Sequence, residues 1–147
     1  MSKLQVGQVL SLILPLNNND SNEIIRGSHP YIIIDVDEAS DIVELIQFSS
    51  LEGKEFEAIN KCNKIIYKDN PIEAVIDADS FVRLNYKITV DLFDGLVNYR
   101  RQLDKLSSQK LSNVISAYKN HQKDNIIDDD KIIYVSEQRM LELNAKH

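Results

Sequence analysis

The chain has 147 residues, 43% hydrophobic and 27% charged, with four glycines, three prolines and a net charge of −6. That is one domain's worth of globular sequence, and it excludes a low-complexity polymer; with Cys62 as the single cysteine, an intrachain disulfide and a cysteine metal cage are excluded too. No apolar run approaches the ~18 residues of a membrane span, and the N-terminus lacks the apolar core of a signal peptide, so the expectation is a cytoplasmic protein without a membrane partner.

The first strand is expected over Val6–Leu14, where apolar residues exceed strict alternation and both faces are partly covered. Pro15 ends it, because proline cannot donate to a central ladder. The polar stretch Leu16–Glu23 is a loop, since its Asn, Asp and Ser side chains compete for local backbone bonds. Arg26-Gly27-Ser28-His29-Pro30 then feeds the run Tyr31-Ile32-Ile33-Ile34. Pro30 holds His29 extended, and the β-branched run reads as a strand buried on both faces. An imidazole at the mouth of such a strand is either a turn residue bonded to backbone or the start of a site.

An acidic turn over 35–41 leads to a third strand, Ile42–Phe48, ending on Ser49 and Ser50. Short strands are expected over Phe56–Ile59, Lys64–Tyr67 and Ala74–Ile76. Asp77 and Asp79 are solvated turn acids rather than metal ligands, because a hard cation needs more oxygens than two carboxylates supply. Phe81–Ile88 alternates apolar and polar residues as a half-exposed strand does, setting Arg83, Asn85 and Lys87 on one face.

Charge changes sign here. Residues 1–82 hold 6 basic and 14 acidic side chains, residues 83–123 hold 8 and 3, and residues 124–147 hold 3 and 6. The basic middle segment is either a phosphate-facing patch or a solvated helical face. Within it, Leu92–Arg101 reads as a loose connection or a further strand. From Ser107 or Ser108, a suitable N-cap, Leu111, Val114, Ile115 and Tyr118 fall on one stripe of an amphipathic helix. Beyond His121, which ends that helix without further role, come Asp128-Asp129-Asp130, a strand over Ile132–Val135, and a short helix from Ser136 through Leu143. His147 and the thiol of Cys62 carry no activating pair.

Many short strands and one long late helix describe a mainly β, α+β domain, either a small barrel or a sheet with helices. Residues 1–123 form the domain, and 124–147 form an extension, read as an added strand and short helix or as a partner-binding appendage. The chain lacks G-x-G-x-x-G, a P-loop, H-E-x-x-H and CxxC.

The order of motifs over roughly residues 5–121 resembles the PemK/MazF family of toxin endoribonucleases. Val6-Gly7-Gln8-Val9-Leu10 is similar to the family's opening G-D-I/L strand. Gly27–Ile34 is similar to its x-R-P-hydrophobic motif, with His29 where the family has arginine. Leu45–Ser50 resembles a strand ending in Thr-Thr or Thr-Ser, with Ser49 in place of threonine, and Ala74–Arg83 resembles the A-D-Q-x-[RK] stretch.

The resemblance implies a small SH3-like β-barrel, a homodimer, and cleavage of single-stranded RNA without cofactor or metal. It also implies a cognate antitoxin. In that chemistry the ribose 2′-hydroxyl attacks phosphorus, so the protein supplies proton transfer and charge stabilisation. On that basis His29 and Ser49 are the catalytic candidates. Arg26, Ser50 and Arg83 are the candidates for holding RNA phosphate. Arginine stabilises charge but scarcely exchanges protons, whereas histidine does both near neutrality. The competing expectations are a non-catalytic barrel of the same fold that poisons a topoisomerase, and a regulatory protein whose acidic tail docks a partner.

Overall fold

Tyr31–Ile34 sets the layering, because all four side chains are buried while successive residues of a strand point to opposite faces. Apolar layers must therefore cover both sides of this strand. The computed structural model describes residues 4–15, 28–50, 63–66 and 79–145.

Among the described residues, eight strands form one unclosed sheet. They are β1 (Gln8–Leu12), β2 (His29–Asp37), β3 (Ile42–Ser50), β4 (Asn63–Ile66), β5 (Ser80–Arg83), β6 (Lys87–Asp91), β7 (Arg100–Lys105) and β8 (Ile132–Val135). Along the sheet the order is β4-β5-β3-β2-β1-β7, with β6 pairing β3 on one side and β8 on the other. All pairs are antiparallel except β6–β8, which is parallel. The described residues also form the helices α1 (Ser108–Asp124) and α2 (Glu137–Leu143), with 3-10 segments at Asp94–Tyr99 and Asp129–Lys131. The mainly β, α+β expectation is met at this level.

One face of the sheet carries Leu10, Leu12, Tyr31, Ile33, Val43, Leu45, Ile88 and Val90, packed with Leu96 of the first 3-10 segment. The other carries Val9, Ile32, Ile34, Ile46 and Phe48, covered by Val114 and Tyr118 of α1. The predicted stripe of α1 holds, with Leu111 and Ile115 packed against the same layer, and its N-cap is Ser107. The first strand is shorter than predicted, starting at Gln8, because Gly7 takes φ +97° in a turn. Its N–H donates to the Ile33 carbonyl and its own carbonyl accepts from Leu106, each at 2.8 Å, so this turn ties β2 to the start of α1. A Cβ at Gly7 would stand 3.2 Å from Leu111 Cδ2, on a backbone that L-residues avoid. Leu92–Arg101 holds both a 3-10 helix and the start of a strand.

The expected single strand over Phe81–Ile88 is instead two. Leu45 pairs Ile88 and Phe48 pairs Val82, so two residues of β3 face the five residues Arg83–Lys87. The excess of three is odd, and an odd insertion exchanges the faces of everything beyond it. Arg83 therefore lies on the face of Ser49 and Leu45, while Lys87 points to the other, and the shared face expected for Arg83, Asn85 and Lys87 does not exist. Arg83 is buried and Lys87 exposed. The expected strands over Phe56–Ile59 and Ala74–Ile76 lie outside the described residues, as do Asp77 and Cys62.

The tail is built into the core. Val135 and Met140 are fully buried in the layer that holds Leu10 and Tyr31. Helix α2 starts where Glu137 donates its N–H to Asp91 Oδ2 at 2.7 Å, at the end of β6. Ser136 caps it as predicted, its hydroxyl accepting from Arg139 N at 3.3 Å. At the far end Asn144 accepts from Ile13 N at 2.7 Å and donates to Ile13 O at 3.1 Å, a side-chain amide standing in for a strand partner. Helix α2 thus bridges β6 to the chain leaving β1.

Two buried phenols give the fold a pH limit. Tyr118 donates to Glu44 Oε2 at 2.5 Å, and burial, then this bond, pushes its pKa well above the ordinary value. Tyr31 is raised by burial and by Tyr86, against a smaller lowering by Arg83. Unfolded tyrosines ionise near pH ~10 while these two stay protonated, so above that pH the unfolded state binds fewer protons and stability falls as pH rises. Urea midpoints measured between pH ~9 and ~11 should drop as pH rises, and Tyr118→Phe should flatten part of that fall. A flat profile would contradict the burial of both phenols.

Candidate functional site at the end of the β2–β3 ladder

The site is set by where one ladder stops. β2 and β3 pair from Asp37–Ile42 up to Tyr31–Gln47 and no further. Carried on in the same register, Pro30 would face Phe48, and proline offers no N–H to continue the ladder. Beyond Gln47, β3 goes on pairing with β5, Phe48 with Val82 and Ser49 with Phe81. His29 at the start of β2 stays paired with Leu12 of β1. His29 and Ser49 are therefore the next same-face positions after Tyr31 and Gln47, on two strands whose mutual pairing has just ended.

Arg83 joins the same face from β5. It pairs with Asn63 of β4, and the β3–β5 register continued by one same-face step sets it opposite Gln47. Its guanidinium lies 5.2 Å from the centroid of the Phe81 ring, a cation–π stack that keeps a permanent charge among apolar groups. Tyr31 lies within electrostatic reach of that charge and of Tyr86. Of the predicted residues, three thus share a face: His29, half-buried, with Ser49 and Arg83, each 8% exposed. Ser50 ends β3, paired with Ser80, and its side chain is outside the described set. Arg26 lies outside the described residues.

Sequence reasoning missed Gln47. It is 2% exposed, and its Oε1 has no hydrogen-bond partner among the described residues. A buried carbonyl left so costs about 1–3 kcal/mol, so native proteins usually give it a water or a ligand donor. The signal was in the strand: in Ile42–Phe48 only Glu44 and Gln47 are polar. Glu44 accepts from Tyr118, and Gln47 has no such partner among the described residues.

Chemically, the face offers a proton-exchanging imidazole, a hydroxyl and a fixed cation, with an acceptor at its centre. The cation and the donors suit an anion such as a phosphodiester, whereas the Gln47 oxygen needs a donor group. Among the described residues, no three His, Cys, Asp or Glu side chains gather as a metal site. No described helix is long and apolar enough to cross a membrane. Apart from this face, a surface cavity of about 340 Å³ lies between β4 and the start of α1, lined by Lys64, Ser107, Lys110 and Asn113. No protein-family model matches the chain, and no curated protein matches it.

Proposed function

We propose that this protein is the toxin of a toxin–antitoxin module, an SH3-like barrel of the PemK/MazF type that cleaves single-stranded RNA without a metal. It acts in the cytoplasm as a homodimer and is held inactive by a cognate antitoxin. The observation that carries the reading is the common face of His29, Ser49 and Arg83, which the order of sequence motifs singles out independently.

In the reaction His29 takes the proton of the ribose 2′-OH as the 2′-oxygen bonds to phosphorus. The phosphorus–O5′ bond then breaks, and the leaving oxygen receives a proton, from the same imidazole or from water. The products are a 2′,3′-cyclic phosphate and a free 5′-hydroxyl. The Ser49 hydroxyl donates to a non-bridging oxygen, and the Arg83 charge offsets the phosphorane. Arg26 and Ser50 are the remaining phosphate contacts of this reading.

A second reading has an observation of its own. Ser49 and Arg83 are buried, and the Arg83 guanidinium is already stacked on Phe81, as in a barrel that binds a protein partner and cuts nothing. End-labelled single-stranded RNA incubated with the full chain in EDTA separates the two. Discrete cuts ending in cyclic phosphate are expected. Intact RNA in the presence of folded protein would overturn cleavage and leave the binding module.

A further inference from the structure

We propose that the edge of β8 left without a strand partner among the described residues is a docking strand for an extended partner peptide, apolar at its centre and flanked by lysine or arginine. The proposal does not depend on RNA cleavage.

Edge strands expose unpaired backbone donors and acceptors, and proteins normally guard them with charge, proline or a bulge. Among the described residues, β7 and β4 are the other strands with one partner. The edge strand β7 carries Arg100, Arg101 and Lys105, and β4 carries Lys64. β8 reads Ile132-Ile133-Tyr134-Val135, pairs β6 residue for residue without a shift, and has no guard within it.

Its outward side chains are apolar. Ile132 is 50% exposed and Tyr134 57%, while Val135 is buried and Ile133 partly so. Ile126 at 97% and Leu141 at 46% are the other exposed large hydrophobics among the described residues, so all four fall between positions 126 and 141. The Tyr134 hydroxyl donates to Asp91, which fixes the ring before anything binds. A fixed aromatic is a good anchor, because little rotamer entropy remains to be lost.

The charge around this strand selects the occupant. Asp124, Asp128, Asp129 and Asp130 precede β8, and Glu137 follows it, with Glu142 beyond paired to Arg139. The two cations of residues 124–145 are engaged locally: Lys131 lies 5.7 Å from the Tyr86 ring centroid, and Arg139 pairs with Glu142 at 3.6 Å. An apolar strand between two acidic rims fits a strand with basic flanks, added edge to edge so that backbone bonds supply affinity and the rims supply selectivity. A second copy of this chain fits worse, since pairing β8 with β8 about a twofold axis sets acidic rims against each other.

The test uses a fluorescent peptide, Lys-Arg-Ile-Thr-Val-Thr-Lys-Arg, and its counterpart with every Lys and Arg replaced by Glu, titrated into the full chain. The basic peptide is expected to bind at least about tenfold tighter, to weaken as salt is raised, and to slow amide exchange across Ile132–Val135. Ile132→Lys, placing a guard on the edge at a half-exposed position, should weaken it by about tenfold with the thermal melt unchanged. The triple change Asp128→Asn, Asp129→Asn, Asp130→Asn should remove most of the salt dependence. Equal affinity for the two peptides, no binding of either, or slowed exchange elsewhere overturns the proposal. So does a dimer in sedimentation that Ile132→Lys dissolves, which would make the occupant a second copy.

Discussion

A chain ending at Asp124 is expected to lose the cooperative thermal transition of the full protein. Residues 125–145 place Val135 and Met140 fully inside the layer that holds Leu10, Tyr31 and Leu45, with Ile133 and Leu143 packed against it. Burying a side chain of this size contributes about 1.5–3 kcal/mol, and four of them, two only partly buried, approach the ~5–15 kcal/mol by which whole domains are stable. The deletion also opens the edge of β6 and leaves the Ile13 backbone without its Asn144 partner. The graded form is Met140→Ala, with an expected cost of about 2–5 kcal/mol because the vacated space is enclosed on every side. Circular dichroism melts decide it: a 1–124 chain melting within about 5 °C of the full protein would mean that the tail is an ornament on a self-sufficient domain.

How much of this was legible follows the range of the forces involved. The tail's strand and helix could be read because their signals are local: a β-branched run, then a serine whose hydroxyl caps the next turn. The stripe of α1 and the two-sided burial of Tyr31–Ile34 were legible for the same reason. What the tail packs against was not. The parallel pairing of β8 with β6 and the reach of Asn144 to Ile13 join positions separated by 45 and 131 residues, and no short-range pattern encodes either.

At the candidate site, His29 stood out because it precedes a proline and a buried run, and both features lie within six residues of sequence. Arg83 was assigned to a half-exposed alternating strand, and the three-residue excess against β3 reversed that. An odd insertion leaves no mark in composition. It becomes visible only when two ladders on the same strand are compared. Gln47 went unread for a related reason: a polar residue in an apolar strand, like Glu44 in the same strand, reads as surface until both faces are known to be covered.

His29→Ala is expected to lower the RNA cleavage rate by about 10²–10⁴, the usual contribution of a positioned acid or base, with little change in stability. The side chain is half-buried at the end of a strand, so its removal leaves no enclosed cavity. A loss of rate alone does not separate proton transfer from charge, because an imidazolium also attracts phosphate. His29→Arg makes the separation. Arginine keeps a cation and hydrogen-bond donors at that position but gives up its proton only far above neutral pH. If His29 works as a clamp, the arginine variant should retain most of the rate. If it exchanges protons, the variant should be nearly as slow as the alanine one, while its KM stays close to that of the parent. The parent's rate should then bend between pH 5 and 8, a bend that both variants lose. His29→Ala cleaving within about twofold of the parent would remove His29 from the chemistry altogether. The catalytic burden would then fall on Ser49 and Arg83, neither of which carries an ordinary proton-exchanging group, and the non-cutting reading would be the stronger one.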